Sequence, residues 1–274
     1  MIKIFLIGLL LILMLISVVG AEAVEKKKDT FLLSKTDPEF AAFFEDFAFE
    51  EVPGEAAAKL DPKRRGIVIT ASLIGCQGKE TFAALLPELL DDGLTPAEAN
   101  EVLYQSVAYC GIGRVLPFFA VVRELLTTRG ELLPLPPLST ASRTNRLQKG
   151  IQAQVDIFGP QMSEFYNSGP QESRHINRWL AANCFGDYYT RGALDYRERE
   201  LATFCYIAAQ GGCEPQLLAH AAANLKNGND KALLIAAVSQ SIPYIGYPRA
   251  LNALRCVNEA AAQLEAAETK GKKE

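Results

Sequence analysis

The 274-residue sequence has few histidines and no closely paired cysteines, the residues that zinc and dithiol sites use. It contains only two histidines, so imidazole chemistry near neutral pH must use one of them. None of its six cysteines forms a Cys-x-x-Cys pair, which weakens both a zinc site and a dithiol site. The net charge of −4 offers no basic surface for nucleic acid. We therefore expect no metal site and no nucleic-acid partner.

The N-terminal residues have the layout of a signal peptide. One lysine, Lys3, precedes an uncharged stretch over residues 4–21, and small residues stand at Ala21 and Ala23. The export machinery and its peptidase recognise such segments. We predict a signal peptide over residues 1–23 and an exported protein, periplasmic or secreted, with no stable membrane span after cleavage. The alternative is an uncleaved N-terminal membrane anchor, because the run is near the lower limit for spanning a bilayer.

An internal repeat divides the rest of the chain into two copies. Several residue types recur in one register, displaced by 135 positions: Gln105, Ser106, Tyr109, Gly111 and Arg114 answer to Gln240, Ser241, Tyr244, Gly246 and Arg249. Upstream, Leu60, Asp61 and Arg65 answer to Leu194, Asp195 and Arg199 at a displacement of 134. The second copy therefore carries one extra residue, which we expect in the loop that contains Gly211 and Gly212.

Prolines mark the boundary between the two copies. Residues 133–140 contain three prolines, which cannot sit inside a helix and favour an extended connection. We predict a first domain over 36–130, a proline-rich linker over 131–142, a second domain over 143–266 and a charged tail over 267–274.

Local signals in both copies indicate helices. Leu85, Leu86, Leu89 and Leu90 follow one helical stripe. The sequence Thr95-Pro-Ala-Glu predicts a helix start with a capping box. Gly111 and Gly246 predict tight turns between two long helices. We therefore expect an all-α protein in which each copy is a bundle of helices.

His220 and Glu200 are the candidates for acid and base chemistry. His220 stands on a helix that Pro215 can open, and the equivalent residue of the first copy is Leu85. Glu200 lies in the first turn of the preceding helix. If the two side chains meet, they form a carboxylate–imidazole pair suited to moving protons. The alternatives are a packed core histidine and a carboxylate in a solvated first turn.

Three stretches of the second copy resemble carboxymuconolactone decarboxylases: residues 185–191, residues 194–203 with His220, and residues 244–254. The resemblance covers residues 175–262 well and 44–127 more loosely. It implies an all-helical, alkylhydroperoxidase D-like bundle that assembles as a homo-oligomer, such as a trimer of two-domain chains. It also implies cofactor-free decarboxylation or proton transfer on a small carboxylic acid or lactone. By the same resemblance, Glu200 and His220 are catalytic, and Arg199 and Arg249 bind the substrate carboxylate.

The same superfamily suggests a second function. Alkylhydroperoxidase D has a glutamate, then Cys-x-x-Cys, then a histidine, and here Cys213 takes the first cysteine position and Gln216 the second. The alternative function is therefore a thiol antioxidant with Cys213 as its catalytic residue. A non-catalytic binding or assembly protein is the third. The first copy is degenerate in either case, since Leu85 and Gly66 stand where the second copy has His220 and Glu200.

Overall fold

The computed structural model describes residues 33–56 and 59–271, and every regular element within these ranges is helical. The predicted all-α class is therefore confirmed. The predicted signal peptide lies outside the described residues. Among the described helices, none combines the length and the apolar character that crossing a bilayer requires.

The chain divides into two compact units after Glu51. In the first unit, a 3-10 turn, Leu33–Lys35, precedes helix α1, Pro38–Glu45, and a π-helical segment, Asp46–Glu51, follows. The rings of Phe40 and Phe44 stack on α1 with their centroids 5.8 Å apart.

The second unit carries two series of helices, separated by residues 131–145, which are not helical. The first series is α2 (Val52–Ala56), α3 (Pro62–Gly75), α4 (Lys79–Asp91), α5 (Pro96–Cys110) and α6 (Ile112–Thr128). The second series is α7 (Arg146–Phe158), α8 (Arg174–Trp179), the π-helical segment Leu180–Tyr189, α9 (Tyr196–Gln210), α10 (Glu214–Lys226), α11 (Lys231–Ile245) and α12 (Tyr247–Gly271). Two 3-10 turns, Pro160–Met162 and Phe165–Asn167, lie between α7 and α8.

The helix boundaries repeat in the register that the sequence predicts. Helices α4, α5 and α6 begin 135 positions before α10, α11 and α12. We expected the extra residue of the second copy in the glycine loop, but it does not lie there. The loops 76–78 and 211–213 are equally long, whereas α9 has 15 residues and α3 has 14. The insertion therefore lengthens helix α9 by one residue. Gly211 ends this helix with a φ of 70°, a conformation that glycine adopts without strain.

The helix ends follow the local signals. Thr95 and Glu98 form the predicted capping box at the start of α5. Asp195 and Glu198 form a second one at the start of α9. Gly111 and Gly246 both have a φ of 77° and each connects two helices, so the predicted tight turns are confirmed.

The two copies share a core in which α3 packs against α9. Both helices are buried along most of their length. Gly75 of α3 faces Ala209, its equivalent on α9, and a Cβ atom on Gly75 would lie 2.7 Å from the Ala209 Cβ and from the Tyr206 carbonyl oxygen. The Ser72 and Ser241 hydroxyls, one from each copy, hydrogen-bond at 2.9 Å. The close approach of α3 and α9 thus depends on a missing side chain.

The substitution Gly75→Ala tests this contact. The new methyl group would press on the backbone of α9, so we expect it to lower the free energy of unfolding by roughly 1–3 kcal/mol in urea titrations. Gly113→Ala on α6 is the matched control, since its Cβ would meet no atom within 4 Å and alanine favours a helix. Equal stability of the two variants would contradict the packing described.

Candidate active site

The structure brings Glu200 and His220 together. Glu200 of α9 has 0% exposure, and its Oε2 lies 2.8 Å from Nδ1 of His220 on α10. Its other carboxylate oxygen, Oε1, accepts a hydrogen bond of 2.7 Å from the Tyr189 hydroxyl. Both oxygens of this buried carboxylate therefore have a partner, as a buried charge requires.

A chain of hydroxyl groups leads away from Glu200. A carboxylate only accepts hydrogen bonds, so Tyr189 gives its single proton to Glu200. The Tyr189 oxygen then accepts from the hydroxyls of Thr203, at 2.7 Å, and Tyr109, at 2.8 Å. The Cys184 thiol donates to the Tyr109 oxygen at 3.6 Å. Every donor in this chain points toward Glu200, and Tyr109 comes from the first copy.

Burial keeps these donors protonated. It raises the pKa of Tyr189 and of Tyr109 well above the usual tyrosine value, and the nearby Glu200 charge raises both further. Burial also raises the pKa of the Cys184 thiol to about 12. At neutral pH the three groups therefore act as fixed hydrogen-bond donors.

Asn224 fixes the backbones that carry the acid and the imidazole. Its Nδ2 donates to the carbonyl oxygens of Glu200, at 2.9 Å, and His220, at 2.8 Å. Its Oδ1 accepts a 2.7 Å hydrogen bond from Asn229. Both asparagines are buried, so α9 and α10 are held in register where the carboxylate meets the ring.

His220 lies in the wall of a cavity of about 560 Å³. The walls are mostly apolar, with Phe158, Met162, Phe165, Leu180, Phe185 and Ile207 among the lining residues. The ring of His220 meets Tyr109 and Phe158 edge-on, with centroids 5.7 and 5.6 Å away.

Helix α7 lies close to the π-helical segment Leu180–Tyr189, and this close approach brings residues of α7 to the cavity. A Cβ atom on Gly150 would lie 1.8 Å from the Ala181 carbonyl oxygen, so only glycine permits this approach. Gln154 and Phe158, one and two turns further along α7, then line the cavity.

The contact with Glu200 fixes the tautomer of His220. Because Nδ1 donates to the carboxylate, the neutral ring carries its lone pair on Nε2. That nitrogen has no hydrogen-bond partner among the residues the structure describes. His220 can therefore accept a proton from a molecule in the cavity.

Cys213 also lies in the cavity wall. It precedes α10 and lines the cavity together with His220 and Gln216. The structure thus brings Cys213, Glu200 and His220 to one place.

The two arginines lie elsewhere. Arg199 has 0% exposure, and its guanidinium contacts Glu101 at 3.2 Å and Gln105 at 2.9 Å, both residues of the first copy. Burial lowers the pKa of Arg199, and the Glu101 charge opposes this shift. Arg249 is exposed beside Gly211 and lines a separate small recess. Neither arginine lines the cavity that His220 faces.

A comparison with known protein families shows which family the chain resembles. Residues 38–124 and 175–259 both match the carboxymuconolactone decarboxylase family, and together they span more than half of the chain. The chain belongs to the carboxymuconolactone decarboxylase family. No curated protein matches the chain. The second family segment contains Glu200 and His220, and the first contains Tyr109, so both segments contribute to the site.

The first family segment has an apolar counterpart of the site. Gly66, Leu85, Leu89 and Leu94 stand at the positions equivalent to Glu200, His220, Asn224 and Asn229. All four are buried, and a Cβ atom on Gly66 would lie 3.1 Å from the Leu94 Cβ. Tyr244, the equivalent of Tyr109, keeps its type. Its hydroxyl is buried without a hydrogen-bond partner among the described residues, and burial raises its pKa to about 12.

Three residues of the site carry no clear functional signal in the sequence. Tyr109 is part of the repeat but indicates only a turn, and Gln154 and Asn224 lie outside every motif. The sequence does carry one signal. Tyrosine occurs at both 109 and 244, whereas Glu200 and His220 correspond to Gly66 and Leu85 in the first copy.

The pair Tyr109→Phe and Tyr244→Phe tests this asymmetry. Tyr109→Phe removes a hydrogen bond to Tyr189, so we expect it to lower the free energy of unfolding by about 0.5–1.5 kcal/mol. Tyr244→Phe removes an unpaired buried hydroxyl, so the protein should be equally stable or slightly more stable. Thermal and urea unfolding of the two variants measure the difference, and the opposite order would refute the hydroxyl chain.

Proposed function

We propose that this chain is an acid–base enzyme that moves a proton to or from a carbon next to a carbonyl group in a small compound such as a lactone. The observation that supports the proposal is the 2.8 Å contact between Glu200 and His220 at the wall of the 560 Å³ cavity. A carboxylate that orients an imidazole is a common arrangement for proton transfer.

The reaction begins at Nε2 of His220. This atom takes a proton from the carbon next to the substrate carbonyl, and the electron pair of the broken C–H bond moves to the carbonyl oxygen as an enolate. The imidazolium that forms keeps its Nδ1 hydrogen bond to Glu200, whose negative charge stabilises it. Return of the proton to the same or another carbon completes an exchange or an isomerisation. In a decarboxylation, the C–C bond breaks instead, CO₂ leaves, and a protonated His220 supplies the proton to carbon.

The cavity walls favour chemistry on a neutral group. No lysine or arginine is among the described residues that line the cavity, so a substrate carboxylate would find no cation there. Apolar walls keep water away and strengthen the interaction between Glu200 and the charged ring. Proton transfer on a neutral lactone therefore fits this site better than decarboxylation of an acid held by Arg199 and Arg249.

Substitution of the imidazole tests the proposal. The exchange of α-protons of γ-valerolactone and related lactones in D₂O, followed by NMR, should be catalysed by the wild-type protein. We expect His220→Gln to slow this exchange by about 10²–10⁴-fold, because the base is lost, and Glu200→Gln to slow it less. His175→Gln is the matched control, since the His175 ring meets Trp179 edge-on and does not line the cavity. An unchanged rate in His220→Gln would remove the assignment, and tight lactone binding without exchange would favour a binding protein.

A thiol antioxidant is the second candidate, because Cys213 shares the cavity wall with His220. A peroxide-reducing thiol needs a resolving partner, and Gln216 stands at the position of the second cysteine. Cys184 also lines the cavity, but its pKa of about 12 leaves it a thiol at neutral pH. The acid–base function is therefore the better supported of the two.

Peroxide consumption separates the two candidates. We expect the wild-type protein, supplied with a dithiol reductant, to consume hydrogen peroxide no faster than Cys213→Ser, because the acid–base function gives the Cys213 thiol no part in the reaction. Cys256→Ser, at a buried cysteine outside the cavity, controls for nonspecific thiol oxidation. A peroxidase rate that disappears only in Cys213→Ser would establish the antioxidant function instead.

A further inference from the structure

One polar side chain of the cavity wall has no role in the proton transfer. Gln154 lines the cavity, has 0% exposure and belongs to the tightly packed helix α7. Neither its Oε1 nor its Nε2 has a hydrogen-bond partner among the described residues. A buried amide without partners is rare in proteins, because its NH₂ and C=O groups lose their hydrogen bonds to water and gain none within the protein.

The surroundings of Gln154 show that packing alone does not require an amide. Most of the residues that line the cavity with Gln154 are apolar, such as Phe158 and Phe185. A leucine or methionine of similar volume would fill the same space without an unpaired polar group. Gln240 has an equally unpaired buried amide, but of the two only Gln154 lies beside a cavity that a ligand can enter.

The chemistry of the amide limits what that molecule is. A glutamine side chain donates from Nε2 and accepts at Oε1, so its complement carries an acceptor and a donor side by side. A lactam, an imide or a carboxamide has this pattern, whereas a carboxylate has no donor. The lining residues also include no lysine or arginine to neutralise an anion.

We propose that Gln154 is the ligand-recognition residue of this cavity and that it selects an uncharged compound with a carbonyl next to an N–H group, of the lactam or carboxamide class. The inference rests on the proposed function in that the same molecule then presents its reactive carbon to His220. Because Gln154 has no exposed surface in the free protein, its side chain turns toward the cavity when the ligand binds, and its amide then makes two hydrogen bonds with the ligand. The apolar walls bind the rest of the molecule.

Two ligands that differ in one group test the assignment. The lactam 2-quinolone and the lactone coumarin have nearly the same shape, but only 2-quinolone has an N–H beside its carbonyl. Titration calorimetry on the full chain should give a dissociation constant about tenfold lower for 2-quinolone, since one hydrogen bond separates the two. The anion 2-naphthoate should bind more weakly than either.

The substitution Gln154→Met removes the amide and keeps the side-chain length. We expect this variant to bind the two ligands equally and to unfold at the same temperature as the wild-type protein or a higher one. Gln154→Leu serves the same purpose if the methionine variant does not fold. Retention of the preference for 2-quinolone in a folded variant, equal binding of both ligands by the wild-type protein, or no binding of 2-quinolone at millimolar concentration would overturn the proposal.

The variant His220→Gln separates this inference from the proposed function. It should lose lactone proton exchange and keep the preference for 2-quinolone. Absence of exchange in the wild-type protein, together with a preference that Gln154→Met abolishes, would refute the proposed function and leave the role of Gln154 standing.

Discussion

A carboxylate without access to water must receive its hydrogen bonds from the protein, and the second unit is organised around this constraint at Glu200. Its two oxygens meet a hydroxyl and an imidazole, and the hydroxyl receives further hydrogen bonds from Thr203 and Tyr109. Gln105 of the first copy supports Thr203 in turn with a 2.8 Å hydrogen bond. Satisfying one buried charge therefore joins residues from both copies into a single polar network.

Equivalent spaces in the two copies are filled by different kinds of side chain. In the second copy, the polar set around His220 is held by hydrogen bonds that Asn224 directs to the backbone. In the first copy, leucines and a glycine fill the equivalent space as an ordinary apolar core. The unpaired hydroxyl of Tyr244 and the unpaired amide of Gln240, the equivalents of Tyr109 and Gln105, are what remains there of the polar arrangement. Duplication has thus left one polar site, which uses both copies.

The sequence predicts well whatever depends on local chemistry. The helix start at Thr95 and the turns at Gly111 and Gly246 follow from side chains close along the chain. The register of the repeat follows from matching residue types 134 or 135 positions apart. The spacing of Glu200 and His220 does not predict that the two side chains meet, because it does not fix which face of a helix turns inward. The same limit applies to Arg199 and Arg249, which the resemblance assigns to a substrate carboxylate, and to Gln154, which lies in no motif. The surroundings of all three come from distant parts of the chain.

The contact between α3 and α9 through Gly75 lies within one polypeptide. In a protein that builds such a contact from separate subunits, dilution would pull the two halves apart and dismantle the site. Here the covalent connection keeps the halves at a high effective concentration, so the hydroxyl of Tyr109 reaches Tyr189 however few molecules are present. Each half is also free to change alone, since a substitution in one is not copied into the other.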